Sequence, residues 1–210
     1  MQEILNPLAL TLEQFTSSGI NYIYGDRATN LWSLKDKYSN CTKCNLATTR
    51  KNFVYGTGNN KSKLLIIGEA PGAKEDEQGL PFVGRAGMLL TKMLKAIDLD
   101  REDVYITNIV KCRPPKNRDP LLEEINACIN YLNEQIVLIK PKAILLLGRV
   151  SAKTLLNKDI SLAQFRAKKY NIMRIRTFVT YHPAALLRHP AWKKETWYDL
   201  QKLQKFLNSK

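Results

Sequence analysis

The run Leu64-Leu65-Ile66-Ile67-Gly68 constrains the fold more than any other feature of the chain. It is too short for a buried helix and is closed by glycine. It fits a strand covered on both faces, as in the interior of a parallel sheet. Val104-Tyr105-Ile106-Thr107-Asn108, Ala143–Leu147 and Arg176–Thr180 repeat the pattern. Pro141 stands just ahead of the third run, where its missing N–H does no harm. Segments of helical period fill the gaps. Arg85–Ile97 repeats Met88, Leu89, Met93, Leu94 and Ile97 on one face. Asp119-Pro120 reads as a helix start, with a capping aspartate, proline at the first helical position and Glu123 and Glu124 near the positive end of the dipole. The buried stripe of that helix is predicted at Leu121, Ile125, Cys128, Leu132 and Ile136, and a last helix is expected from about Ala191 to Leu207, with Trp197, Leu200, Leu203 and Leu207 packed inward. Strand–helix alternation of this kind predicts an α/β chain, a three-layer α/β/α sandwich around a central four-stranded, mostly parallel sheet with right-handed crossovers. Residues 1–30 carry a weak pattern broken by Gly19 and Gly25, and read as a peripheral extension to a single domain over 31–210.

Charge narrows the partners. Lys and Arg number 33 against 19 Asp and Glu, a net +14. Such a balance suits a protein that handles polyanions, and nucleic acid leads over an anionic membrane surface or an acidic protein. No run approaches the ~18 apolar residues of a membrane span. Met1–Leu10 carries Glu3 and Pro7 where a signal peptide would have a positive charge and an apolar run, so a cytoplasmic location is expected.

The four cysteines form two pairs, Cys41-x-x-Cys44 and Cys112 with Cys128. A C-x-x-C turn lets two thiolates converge on one metal centre, and with no histidine near any of the four an all-thiolate zinc or iron–sulfur site is open on spacing alone. A disulfide framework is a poor fit to a chain with no secretion signal and a full-sized core. In open parallel sheets the ligand lies beyond the carboxyl ends of the strands. Gly68–Gly72, Asn108, Gly148-Arg149 and Tyr181-His182-Pro183 are therefore the segments that matter.

Four segments, in this order, carry a resemblance: Gly68-Glu69-Ala70-Pro71-Gly72 followed by Glu75-Asp76; Leu80-Pro81-Phe82-Val83-Gly84-Arg85-Ala86-Gly87; Thr107–Pro115; and Tyr181–Arg188. Together with the cysteines they make residues 38–205 resemble the family 4 uracil-DNA glycosylases, the iron–sulfur type of archaea and thermophilic bacteria. The resemblance implies a uracil-DNA glycosylase-like fold and a structural 4Fe-4S cluster on Cys41, Cys44, Cys112 and Cys128. It also implies hydrolysis of the N-glycosidic bond of uracil in DNA, leaving an abasic site, the first step of base excision repair. Single- or double-stranded uracil-containing DNA is the implied substrate and free uracil the product. A monomer is expected, and the replication sliding clamp is a candidate partner.

The residues can be read against that chemistry. A flipped base needs a π-face, and Phe82, on a glycine-flanked turn, is the candidate platform. Asn108 can accept from uracil N3–H and donate to O4. Gly68, Glu69 and Ala70 offer backbone groups to the same ring, with room for close approach. Pro71 and the lack of Gly-Lys-Ser/Thr argue against a phosphate-cradling loop. His182 is placed to donate to O2 as negative charge develops on the leaving base, for which a neutral imidazole suffices. His189 shares the His-Pro context and reads as surface. The family 1 enzymes place an aspartate beside the attacking water and a tyrosine against uracil C5; this chain has Ala70 and Gly72 there. Glu69, Glu75 and Asp76 are the candidate water activators, and Glu75 is a candidate for excluding the methyl of thymine. Lys111, Arg113 and the stretch to Arg118, with Arg188, are expected near DNA phosphates. One of Leu186, Leu187 or Arg188 is expected to fill the gap left by the flipped base. A related glycosylase with broader deaminated-base substrates and a non-catalytic, metal-stabilised DNA-binding module are the competing readings.

Overall fold

A computed structural model describes residues 31–209, so the expected extension over 1–30 lies outside the described residues. The sheet is six-stranded, with β1 (Thr57–Gly58), β2 (Leu64–Gly68), β3 (Tyr105–Asn108), β4 (Ala143–Leu147), β5 (Tyr170–Ile172) and β6 (Ile175–Thr180) in the order β1-β3-β2-β4-β6-β5. The central β3-β2-β4-β6 are mutually parallel, as the apolar runs predict. The expectation of four strands falls short by the two edges, β1 and β5, which run antiparallel to their neighbours. Both are too short and too mixed in composition to show a period.

Strand alternation divides the core. Leu65 and Ile67 of β2 and Ile144 and Leu146 of β4 point to one side, where they meet α1 (Leu31–Tyr38), α4 (Leu122–Ile139), α5 (Arg149–Leu156) and α6 (Leu162–Arg166). Leu64, Ile66, Leu145 and Leu147 point to the other, against α3 (Arg85–Lys95), α7 (Pro183–Arg188) and α8 (Lys193–Asn208). Each fully buried aliphatic side chain contributes roughly 1.5–3 kcal/mol, which is why apolar residues on both faces are tolerated only in a strand covered twice.

Helix boundaries and faces depart from the sequence reading in defined places. Asp119 is not a cap: α4 begins at Leu122, and its first turn is closed by Glu124, whose carboxylate accepts from the Leu121 N–H (2.8 Å) and from both guanidinium nitrogens of Arg118 (2.9 and 2.6 Å). Leu121 is consequently exposed, whereas Ile125, Cys128, Leu132 and Ile136 are buried as expected. Met88 and Trp197, assigned to buried faces, are exposed too; Leu90 and Leu94 of α3 and Leu200 and Leu203 of α8 take the core.

Candidate active site

The carboxyl ends of β2, β3 and β6 open into a cavity of about 420 Å³, within the roughly 300–1,000 Å³ range of small-ligand sites. Glu69, Ala70, Phe82, Asn108, His182 and Arg188 all line it. Residues more than a hundred positions apart meet here because parallel pairing sets Gly68 beside Asn108, with β4 joining β2 to β6.

Phe82 is held by force rather than by preference. Its φ is 53°, a left-handed backbone that costs a non-glycine residue on the order of 1–3 kcal/mol. The guanidinium of Arg101 donates to the carbonyls of Phe82 (3.1 Å) and Pro81 (3.0 Å), and bonds from a charged donor contribute about 1.5–3 kcal/mol each, enough to offset the strain. Glu75 clamps the other side: its Oε1 accepts from the N–H groups of Val83 and Gly84, both at 2.9 Å. Gly87 lets the turn close, since a Cβ there would lie 1.8 Å from the Phe82 carbonyl oxygen. Thus Phe82 is buried with its ring centroid 5.5 Å from that of His182.

Asn108 is 1% exposed, and its buried Oδ1 has no hydrogen-bond partner among the described residues. A buried carbonyl oxygen left unpaired costs about 1–3 kcal/mol, so the site is built around a missing donor. Gly68 is obligatory beside it, because a Cβ would stand 2.4 Å from Asn108 Oδ1 and 2.6 Å from Phe82 Cζ.

His182 caps α7 by accepting the Ala184 N–H at Nδ1 (3.2 Å), which assigns the proton of a neutral imidazole to Nε2. Burial, with the Arg188 cation beside it, pushes its pKa down to about 4 against a smaller opposing pull from Glu75. The ring is neutral through the physiological range. Glu69 moves the other way: burial first, then the charge of Asp119 and a hydrogen bond with it, push its carboxyl up to about 7. Asp119 also lines the cavity. Sequence reading assigned it to a helix cap and so missed it. Arg101 and Gly87 were missed as well, though a glycine inside the helical pattern of α3 was a visible signal.

Other expected site residues fall elsewhere. Asp76 is buried away from the cavity, its carboxylate accepting from the N–H groups of Lys51 (2.9 Å) and Asn52 (3.3 Å). Lys111 cannot reach DNA: it is fully buried, and its ammonium donates to Thr107 Oγ1, the Asn108 carbonyl and Gln135 Oε1, each at 2.7 Å. Arg113 is half-buried and donates to Asn117 Oδ1 (2.8 Å), and Arg118 serves Glu124. Leu186 is 1% exposed and packs in the core, which removes it as a wedge; Leu187 and Arg188 are exposed on α7, and Arg188 lines the cavity.

The cysteines gather on the α1/α4 side of the sheet, Cys112 and Cys128 buried and Cys41 and Cys44 packed against the same core. Donors face three of the sulfurs: the Tyr131 hydroxyl to Cys41 (3.0 Å), the Arg50 guanidinium to Cys112 (3.2 Å) and the Lys111 N–H to Cys128 (3.3 Å). Among the described residues no three His, Cys, Asp or Glu side chains form a group that could hold a single metal ion.

A family model described as the uracil DNA glycosylase superfamily matches residues 55–201. The chain is 48% identical over 190 residues to a type-4 uracil-DNA glycosylase of Saccharolobus solfataricus, covering 86% of this chain and 88% of that protein. It is 43% identical over 178 residues to the type-4 uracil-DNA glycosylase of Archaeoglobus fulgidus, 81% of this chain and 89% of that one. Against the type-4 enzyme of Thermotoga maritima the identity is 39% over 178 residues, 83% and 93% of the respective chains.

Proposed function

The chain belongs to the uracil-DNA glycosylase superfamily and groups with its type-4 members, and from that premise we propose how this pocket carries out the reaction. The activity is hydrolysis of the bond between uracil N1 and deoxyribose C1′ in DNA, which opens base excision repair. The observation that carries the assignment to this pocket is the unpaired, buried Oδ1 of Asn108. Uracil presents at N3–H the donor this oxygen lacks; cytosine presents an acceptor there, and meeting it would leave two buried acceptors face to face.

The flipped base enters with Phe82 against its face, Asn108 Oδ1 accepting from N3–H and Nδ2 donating to O4. The Nε2–H of His182 faces O2. As the N1–C1′ bond lengthens, its electron pair moves into the ring, and a neutral donor aimed at O2 stabilises charge that exists only then. Water adds to C1′ of the oxocarbenium-like sugar and yields its proton to Glu69. A carboxyl near 7 matches its conjugate base to that task at neutral pH. Glu75 acts by holding the Phe82 turn. Arg188 meets phosphate at the pocket mouth, and Leu187 fills the vacated base stack.

The four cysteines fit a 4Fe-4S cluster. Three sulfurs receive hydrogen-bond donors, as anionic thiolates require. A cluster holds its thiolates farther apart than a single zinc ion, whose Zn–S bonds are about 2.3 Å. Bound there, it would tie the Cys41–Cys44 loop to α4 and take no part in base release.

The test is release of uracil from labelled single-stranded DNA in the presence of chelator, followed by alkaline cleavage at abasic sites. Wild-type protein should cleave; Asn108→Ala should lose at least two orders of magnitude in single-turnover rate. An Asn108→Ala variant at wild-type rate would mean that another residue reads the base.

A further inference from the structure

The parallel strands give the molecule two ends. The uracil pocket occupies the carboxyl end. The amino end is basic: Lys63, Lys142 and Arg176 stand at the entries to β2, β4 and β6, three adjacent strands. Two grooves of about 800 and 550 Å³ flank this row and share Ser209. The first is lined by Lys61, Lys63 and Lys140, the second by Lys169, Lys202 and Lys205 among others.

Among the described residues Asp199 is the acid that either groove contributes, and it feels the Lys202 cation. Asp199, the acid that lines the second groove, is committed to Arg166 (2.6 Å) and to the Thr180 hydroxyl (2.9 Å). Among the described residues, no ion pair involves Lys61, Lys63, Lys140, Lys169, Lys202 or Lys205. Lys142 pins the carbonyls of Leu207 and Ser209 at the end of α8, which uses its hydrogen bonds without cancelling its charge. The acids of the segment before β3, Asp98, Asp100, Glu102 and Asp103, enter on the far side of β2, and Asp98 accepts from Gln204 of α8 (2.8 Å). A row of cations on adjacent strands offers successive contacts to a phosphate backbone.

The geometry points to a second nucleic-acid site at the amino end of the sheet, which takes the phosphate backbone of a DNA segment other than the one under repair. The inference rests on the reading of this protein as an enzyme of DNA. Five residues of β4 separate the two ends, about 16 Å at 3.3 Å per residue, and each end faces its own solvent. One short duplex seated on the pocket leaves the amino end free, so the protein can hold two segments at once and pass between them without full release.

The experiment uses the full chain with two short uracil-free duplexes, one on beads and one fluorescent. Wild-type protein should retain the fluorescent duplex on the beads. Lys63→Glu/Lys140→Glu/Lys169→Glu/Lys205→Glu, all exposed positions, should cut that retention at least tenfold. The salt slope of retention should fall by up to about 3.6, four contacts at about 0.9 each. Excision from a short single-stranded substrate should stay at the wild-type rate, which also shows that the variant folds. Retention unchanged in the variant overturns the inference. So does saturation of wild type at one duplex per chain, which would turn attention to an acidic protein surface, and so does bridging that sedimentation traces to two chains. Failure of wild-type excision would defeat the catalytic reading alone, since duplex retention is read without it.

Discussion

Asp119→Asn separates charge from shape beside Glu69, the carboxyl proposed to take the proton of water. Glu69 is pushed up to about 7 from an ordinary 4.5, by burial first and then by the charge of Asp119 and a hydrogen bond with it. Burial survives the substitution, so the pKa should fall only part of the way toward 4.5. Arg118, Arg188, His182 and Glu75 also line the cavity and are untouched by the substitution. In the proposed mechanism the base form of Glu69 is the active one, so excision should fall as pH drops through its pKa, and lowering that pKa should move the acid limb downward. The assay is single-turnover excision from single-stranded DNA between pH 4.5 and 9. Wild type should show an acid limb near 7, and Asp119→Asn a limb displaced to lower pH but still above 4.5, with the plateau rate within a few-fold. His182, pushed down to about 4, stays mainly neutral across this range and leaves the limb to Glu69. A limb that stays put, or one that climbs, would refute the role given to Glu69.

Gly68→Ala should abolish excision while the protein still folds, because its Cβ would collide with both Asn108 Oδ1 and Phe82 Cζ; melting should show a loss of about 1–3 kcal/mol for overpacking. His182→Ala should lower kcat by about 10²–10³ with little change in KM, as for loss of a donor used only in the transition state; a mainly KM effect would contradict it. Arg101→Ala should do the reverse, raising KM more than it lowers kcat, since it releases the strained turn that presents Phe82. Cys112→Ser should remove iron and the broad visible absorbance of the purified protein, and a colourless wild type holding zinc would contradict the cluster while leaving the excision chemistry intact.

The sheet was legible because its evidence is local. Leu64–Ile67 and Ala143–Leu147 each announce double coverage by composition alone, and both are wholly buried. β1 and β5 were not legible, because two- and three-residue edges have no period and exist only through pairing with β3 and β6. The pocket residues Phe82, Asn108 and His182 were legible through motifs, and the fold brings all three to one cavity.

The misread residues share a cause: sequence names a side chain but not the direction in which the backbone sends it. Lys111 sits among cations in the chain, and its reading as a phosphate contact followed from that company. In the fold it turns inward instead and spends three hydrogen bonds on Thr107, Asn108 and Gln135. An unpaired ammonium so placed would cost several kcal/mol, and only that full set of acceptors makes the burial tolerable. Glu75 and Asp76 are neighbours in sequence and on one short helix, α2 (Ala73–Gln78), yet one holds the Phe82 turn and the other the loop at Lys51 and Asn52. Adjacent helical residues point about 100° apart, so two carboxylates that looked like one acidic pair serve two different loops. That leaves Glu69, at the strand end, as the carboxyl among the three that lines the cavity without clamping a neighbouring loop. Its partner Asp119 comes from the far side of the cysteine loop, which a linear reading has no means to join to it.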